Sequence, residues 1–223
     1  MKIIRPYYKI EDSIDGDEIL KKIEKASRTC YKSENKINAE SAKRLISMII
    51  QKGHESCLEH EKLTIRFITD RGVTHEIVRH RIASYSQEST RYCNYGNDER
   101  ITVILPSWYY SIYDFENEKL IYPTEERVLH QRFIYWEAAC LKSEAMYMKM
   151  LKDGATPQEA RSVLPNSLKT EIVVTMNFRE LRHFLKLRTS KAAHPDMRAL
   201  TIPLFKEHKE KIPIIFDDIT VEE

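Results

Sequence analysis

Five glycines in 223 residues, at positions 16, 53, 72, 96 and 154, constrain this chain more than any other feature. No two lie close enough to build G-x-G-x-x-G or a Walker-type loop, in which backbone N–H groups cradle a phosphate. Any dinucleotide or phosphate must therefore be met by side chains. The stretch equipped to do so is 79–92, RHRIASYSQESTRY. Arg79, His80 and Arg81 stand in a row, Ser84, Ser86, Ser89 and Thr90 follow, and Arg91 closes the run. Unshielded like charges repel, and short hydroxyl donors clustered with arginine suit an oxyanion. A solvated basic turn is the plainer reading of an isolated R-H-R, and the hydroxyls and Arg91 that follow shift the balance toward an anion site.

A chain of this length suits one domain and can bury about 70–75% of its unfolded surface. Its 36 basic and 34 acidic residues leave a net charge of +2, so no global polyanion signature points to nucleic acid. No run approaches the roughly 18 apolar residues of a membrane helix. The start, MKIIRPYYKIED, meets Pro6 and then acids instead of the apolar core of a signal peptide. Cys30, Cys57, Cys93 and Cys140 form no C-x-x-C pair. That spacing argues against a zinc ribbon or a disulfide framework and for a reducing cytoplasm.

Periodicity divides the chain into helices and a few scattered strands. Ile19, Leu20, Ile23 and Ala26 recur at helical intervals over 17–31, and a second helix is expected over 38–53, capped by Asn38 and stopped by Gly53. Residues 62–69 alternate as a strand, Asp70 and Gly72 turn the chain, and 73–81 read as helix. The aromatic-rich segment 93–123 reads as irregular, with core packing preferred over stacking on a base. A long helix is expected from Thr124 to Leu151. Thr156, Pro157 and Glu159 spell a capping box, 170–177 a buried strand, 177–190 a helix, and Pro195 the start of the last helix. This is an α+β pattern, a small central sheet flanked by helices. Strands this few leave the sheet incomplete and favour oligomerisation.

Three groups of residues invite chemistry. HESCLEH (54–60) satisfies neither H-E-x-x-H nor H-x-x-E-H, so a metal-dependent hydrolase using His54, Glu59 and His60 is the rival reading. Ser89 near His80 lacks a G-x-S-x-G elbow, and no obvious carboxylate orients the histidine. On the helix 177–190, Arg179 and His183 share one side, whereas Arg188 falls on the apolar stripe of Phe178, Leu181 and Leu185. A guanidinium there either meets a partner or snorkels at the helix end.

Taken together these blocks resemble the flavin-dependent thymidylate synthases, the ThyX family. Its R-H-R-x7-S signature is met by Arg79, His80, Arg81 and Ser89; HESCLEH, ARSVLP and NFRELRHFLKLR resemble its other blocks in order, over roughly 54–198. The resemblance implies a homotetramer that binds FAD and dUMP in sites shared between subunits. It implies that methylenetetrahydrofolate supplies one carbon and that NADPH-reduced flavin supplies the hydride, giving dTMP. By position, Ser56, Arg79, His80, Arg81, Gln87, Asn177, Phe178, Arg179 and His183 resemble the flavin-contacting residues. Glu76, Arg79, Gln87, Glu88, Ser89, Thr90, Arg91, Arg161 and Arg188 resemble those around dUMP, with Arg188 in the catalytic role. Glu76 stands where many members have Gln, Gln87 where Glu is frequent, and Ala192 where several have His.

Overall fold

The computed structural model describes residues 1–121 and 126–221. In chain order these form β1 (Lys2–Ile4), β2 (Tyr7–Ile10), α1 (Gly16–Thr29), α2 (Ser41–Gln51), β3 (Lys62–Asp70), α3 (Arg71–Ile77), β4 (Ala83–Gln87) and β5 (Thr102–Ile104). The hairpin strands β6 (Tyr113–Asp114) and β7 (Lys119–Leu120) follow, then α4 (Arg127–Lys152), α5 (Pro157–Ala160), β8 (Lys169–Asn177), α6 (Phe178–Arg188), α7 (Pro195–Lys211) and α8 (Pro213–Phe216). Four strands make one sheet in the order β2-β3-β8-β4, and β1 pairs in parallel with β5. The mixture of helices with a small sheet is the expected α+β pattern. Contacts divide the chain into two units, which β3 and β8 enter in turn.

The first unit comprises 1–7, 67–78 and 86–172. Its core is aromatic: Tyr109, Tyr113, Phe133 and Tyr147 are buried, and Tyr109 meets Phe133 edge-on at 5.7 Å between centroids. Each such ring removed from water contributes about 1.5–3 kcal/mol. The core-packing reading of the aromatic segment therefore holds for Tyr109 and Tyr113, while Trp108 stays half exposed. The segment is less irregular than expected, since it supplies β5, β6 and β7. The expected start of the long helix at Thr124 lies outside the described residues, and the described helix begins at Arg127.

The second unit comprises 8–66, 79–85 and 173–223. Here α1 packs on α2, and α6 packs on α7 and on a short 3-10 turn, Glu55–His60. Phe178, Leu181 and Leu185 form the buried face of α6 as the periodicity predicts, joined by Phe184. Three boundaries differ from expectation. Asn38 accepts from the N–H of Glu40 in a local turn, and α2 begins only at Ser41. Helix α3 ends at Ile77, so Arg79, His80 and Arg81 are not helical. Residues 83–87 form β4, whose Ala83, Tyr85 and Gln87 are half-buried while Ser84 and Ser86 are exposed. A hydroxyl-rich strand of this kind hides its period-two pattern behind small polar residues. Gly53 takes φ +69 just past α2, a left-handed position suited to glycine.

Candidate functional site

In the second unit the site begins at the end of β8. The side chain of Asn177 accepts from the backbone N–H of Glu180 at 2.9 Å, capping α6 and fixing its first turn. Glu180, His183 and Arg188 follow along that helix, and His80 meets two of them. His80 is 4% exposed; its Nδ1 lies 2.9 Å from Glu180 Oε1, and Arg188 Nε donates to its Nε2 at 3.1 Å. Arginine stays protonated and offers only donors, so Nε2 must carry the lone pair. The ring proton therefore sits on Nδ1 and is donated to the Glu180 carboxylate. Burial holds the His80 pKa below its ordinary value; Glu180 opposes that shift, and the nearby Arg188 charge adds to it. Phe184 packs edge-on against the ring at 4.9 Å, His183 lies 5.5 Å away, and Tyr85 Oη donates to the His80 carbonyl.

A cleft of about 540 Å³ opens beside this group, lined by Glu59, Ile82, Asn177, Arg179, His183 and Lys186 among others. Arg179 and His183 both reach it, as their shared helix side predicts. Arg179 Nη1 meets Glu59 Oε1 at 2.5 Å. Arg182, buried at 6% exposure, pairs with Glu55 at 3.0 Å and with both oxygens of Asp218 at 2.7 Å, and donates to the carbonyl of Ile215. Ser56, Arg79 and Arg81 are exposed, whereas Phe178 is fully buried near Phe216. Arg188 is half-buried and held by His80, so snorkelling does not describe it.

Glu180 and Arg182 escaped the sequence reading, which found no carboxylate for His80. The available signal was Glu180 at the third position of a helix capped by Asn177, one turn before His183. Among the described residues, His80, Glu180 and His183 form the grouping spaced for a metal. Both His80 nitrogens are engaged there and the Arg188 cation adjoins, so a metal fits poorly. His54, Glu59 and His60 form no such grouping among the described residues, and Glu59 is committed to Arg179.

The first unit holds the remaining predicted residues. The Gln87 amide donates to Thr74 Oγ1 at 3.0 Å, and Glu76 is half-buried on α3. Glu88 takes Tyr95 Oη at 2.6 Å on one oxygen and Lys169 Nζ at 3.0 Å on the other, and Lys169 also reaches Glu171 at 2.8 Å. The next residues turn tightly, the N–H groups of Tyr92 and Cys93 both donating to Ser89 O. Thr90 is buried and lies 3.5 Å from Arg161 Nη1, while exposed Arg91 donates from Nε to Gln158 at 2.9 Å. The capping box of Thr156 and Glu159 that starts α5 is formed and places Gln158 and Arg161. Burial first, and the Glu88 bond second, push the Tyr95 pKa up.

Comparison with known proteins adds an independent line. The profile of the thymidylate synthase complementing protein family, Thy1, matches residues 14–214. A flavin-dependent thymidylate synthase from Geobacter sulfurreducens is 36% identical over 200 residues, covering 86% of this chain and 78% of the relative. Another from Corynebacterium aurimucosum is 34% identical over 221 residues, covering 96% and 84%. Among solved structures, a UMP/dUMP methylase, PolB, from Streptomyces cacaoi bound with 5-Br dUMP superposes with a TM-score of 0.77. That likeness covers 97% of this chain and 96% of the other at 23% identity, and speaks to the fold alone.

Proposed function

The chain belongs to the family of thymidylate synthase complementing proteins, the flavin-dependent thymidylate synthases, and from that premise we propose how it converts dUMP to dTMP. The observation that supports the reading best is His80, buried at the centre of R-H-R-x7-S and held by Glu180 and Arg188. FAD is the cofactor, methylenetetrahydrofolate the carbon donor and NADPH the reductant. The cleft residues fit a flavin: Lys186, and Arg179 once it exchanges its Glu59 partner, offer cations for phosphates, and Ile82 and Ile219 an apolar wall for flat rings. Ser56, Arg79, His80, Arg81, Gln87, Asn177, Arg179 and His183 hold it, whereas Phe178, fully buried, serves only the packing of α6. Bound and reduced, the flavin supplies the hydride.

The chain's own residues bind and polarise the nucleotide. Ser89, Thr90, Arg91 and Arg161 meet the phosphate, their hydroxyls and guanidiniums replacing the missing glycine-rich loop. Glu76, Arg79, Gln87 and Glu88 complete the nucleotide contacts. Arg188 faces the uracil ring and stabilises negative charge as it develops there.

Both units act as one synthase domain, because the family profile runs through both of them. The domain assembles as a homotetramer whose sites draw on several subunits. Exposed Val128, Ile134, Tyr135 and Leu141 along α4 are apolar surface for such assembly. The enzyme works in the cytoplasm, where its four unpaired thiols stay reduced. Purified protein mixed with FAD should develop a shifted flavin spectrum and form dTMP from dUMP, methylenetetrahydrofolate and NADPH. Stoichiometric zinc or iron with no flavin spectrum and no dTMP would sink the reading.

A further inference from the structure

We propose that Glu180 is a positioning residue for this reaction: it fixes His80 as the Nδ1–H tautomer, so that Nε2 aims the Arg188 guanidinium. The inference rests on the function proposed above and concerns a residue which that reading leaves without a task. Glu180 Oε1 lies 2.9 Å from His80 Nδ1, and Arg188 Nε lies 3.1 Å from Nε2. The three side chains form one ordered line of acceptor, ring and donor. With Glu180 only 7% exposed and His80 4%, water has little room to replace either partner. The Glu180 backbone is pinned as well, because its N–H is the group that Asn177 caps.

Removing the carboxylate leaves the chain two arrangements, and both damage the line. If the proton stays on Nδ1, a buried donor loses its acceptor. If it moves to Nε2, two donors, His80 Nε2–H and Arg188 Nε–H, face each other across 3.1 Å and Arg188 is displaced. The charged or titratable groups facing His80 are Glu180, His183 and Arg188, all from α6; β4 contributes the Tyr85 hydroxyl at the His80 carbonyl. Glu180 is the acceptor among them, so the tautomer depends on it.

The test has a readout apart from activity. In protein labelled with ¹⁵N-histidine, the His80 resonances, assigned by their loss in His80→Gln, should show Nδ1 protonated and Nε2 bare at neutral pH. Glu180→Gln keeps a carbonyl acceptor and should preserve that tautomer, with kcat within about 5-fold of wild type. Glu180→Leu should lose the tautomer and cut kcat by about 30-fold or more, with thermal melting confirming a folded protein. Adding Glu180→Leu to His80→Gln should cost no more than about 2-fold beyond the single change, because both break one line. An active wild type with Nε2 protonated, or fully additive losses, overturns this inference alone. A wild type that makes no dTMP overturns the parent reading and this one with it.

Discussion

Tyr95 Oη donates to Glu88 Oε1 at 2.6 Å, and that bond closes the chain over the turn carrying Ser89, Thr90 and Arg91. Lys169 holds the other Glu88 oxygen at 3.0 Å, so the carboxylate serves first as an anchor for the turn. Tyr95→Phe keeps the ring near Tyr147, 6.0 Å between centroids, and removes only the donor. Denaturant unfolding should show a loss of about 1.5–3 kcal/mol, the usual worth of a hydrogen bond to a charged group. Binding of dUMP should weaken several-fold while FAD binding holds. Unchanged dUMP affinity would show that the turn does not rely on Glu88.

Arg91 is exposed and donates from Nε to Gln158 at 2.9 Å, a contact that steadies its stem next to the hydroxyls. Arg91→Ala should weaken dUMP by about 1.5–3 kcal/mol, the worth of a charge-assisted contact. Deoxyuridine carries no phosphate and should bind nearly as before. Isothermal titration of both ligands checks this, and equal losses would place Arg91 away from the phosphate.

Among the described residues no cysteine thiol bonds to His80 or Glu88, although Cys93 lies in the turn after Glu88 through its N–H to Ser89 O. Cys30 is exposed, Cys57 and Cys93 are half-buried, and Cys140 is buried with its thiol pKa pushed up to about 11. A thiol so held makes a poor nucleophile. Replacing all four by Ala should leave measurable dTMP formation, with some loss of stability from the small void at Cys140. A folded single variant with no activity would refute this.

The helices of the second unit were legible because Phe178, Leu181 and Leu185 repeat at helical spacing and Asn177 and Gly53 punctuate their ends. β4 was not, because Ser84 and Ser86 give its exposed face the same polarity as a loop. The site divides the same way. Arg179 and His183 share a helix side, which spacing alone predicts, but Glu180 meets His80 across 100 residues. No local pattern carries a pairing of that range. Sequence also separated Arg188 from the flavin-type residues on helix angle, whereas its Nε reaches His80, whose ring lies 5.5 Å from His183. Helical angle fixes where a Cβ points, and a long arginine stem can turn back.

Two of the three buried histidines among the described residues set the expected loss in acid; the third, His130, has its pKa raised by its bonds to the Glu126 and Ile121 carbonyls and opposes it. His80 and His208 both have pKa values lowered by burial; His208 is fully buried, bonds Leu204 O through Nδ1 at 2.7 Å, and leaves Nε2 without a partner. Below the ordinary histidine value of about 6.5 the unfolded chain takes up protons that the folded chain resists. Stability contributed by these two groups is therefore present above that pH and is lost as pH falls toward their folded values. Denaturant unfolding at pH 7.5 and 5.5 should show the drop, and His208→Gln should shrink it. A drop of equal size in His208→Gln would remove His208 from the account.

Arg188 carries the sharpest expectation. Its Nε is committed to His80 and its backbone carbonyl accepts from Thr201 Oγ1 at 2.9 Å, so both ends of the residue are held. A planar fork fixed through one nitrogen presents its remaining face in a set direction, which a flexible side chain cannot do. In the function proposed here it is directed at the uracil edge and favours the electron-rich ring that reacts with the carbon donor. Arg188→Ala should cut turnover by about 100-fold or more and weaken dUMP binding, since it removes charge from the reacting centre. FAD titration should change far less than turnover, because Arg179 and His183, the flavin-type residues on the same helix, are untouched. Arg188→Lys should recover only part of the rate, as a point charge cannot bond His80 and face the ring at once. Wild-type turnover in Arg188→Ala would refute the catalytic assignment and leave the guanidinium a structural partner of His80.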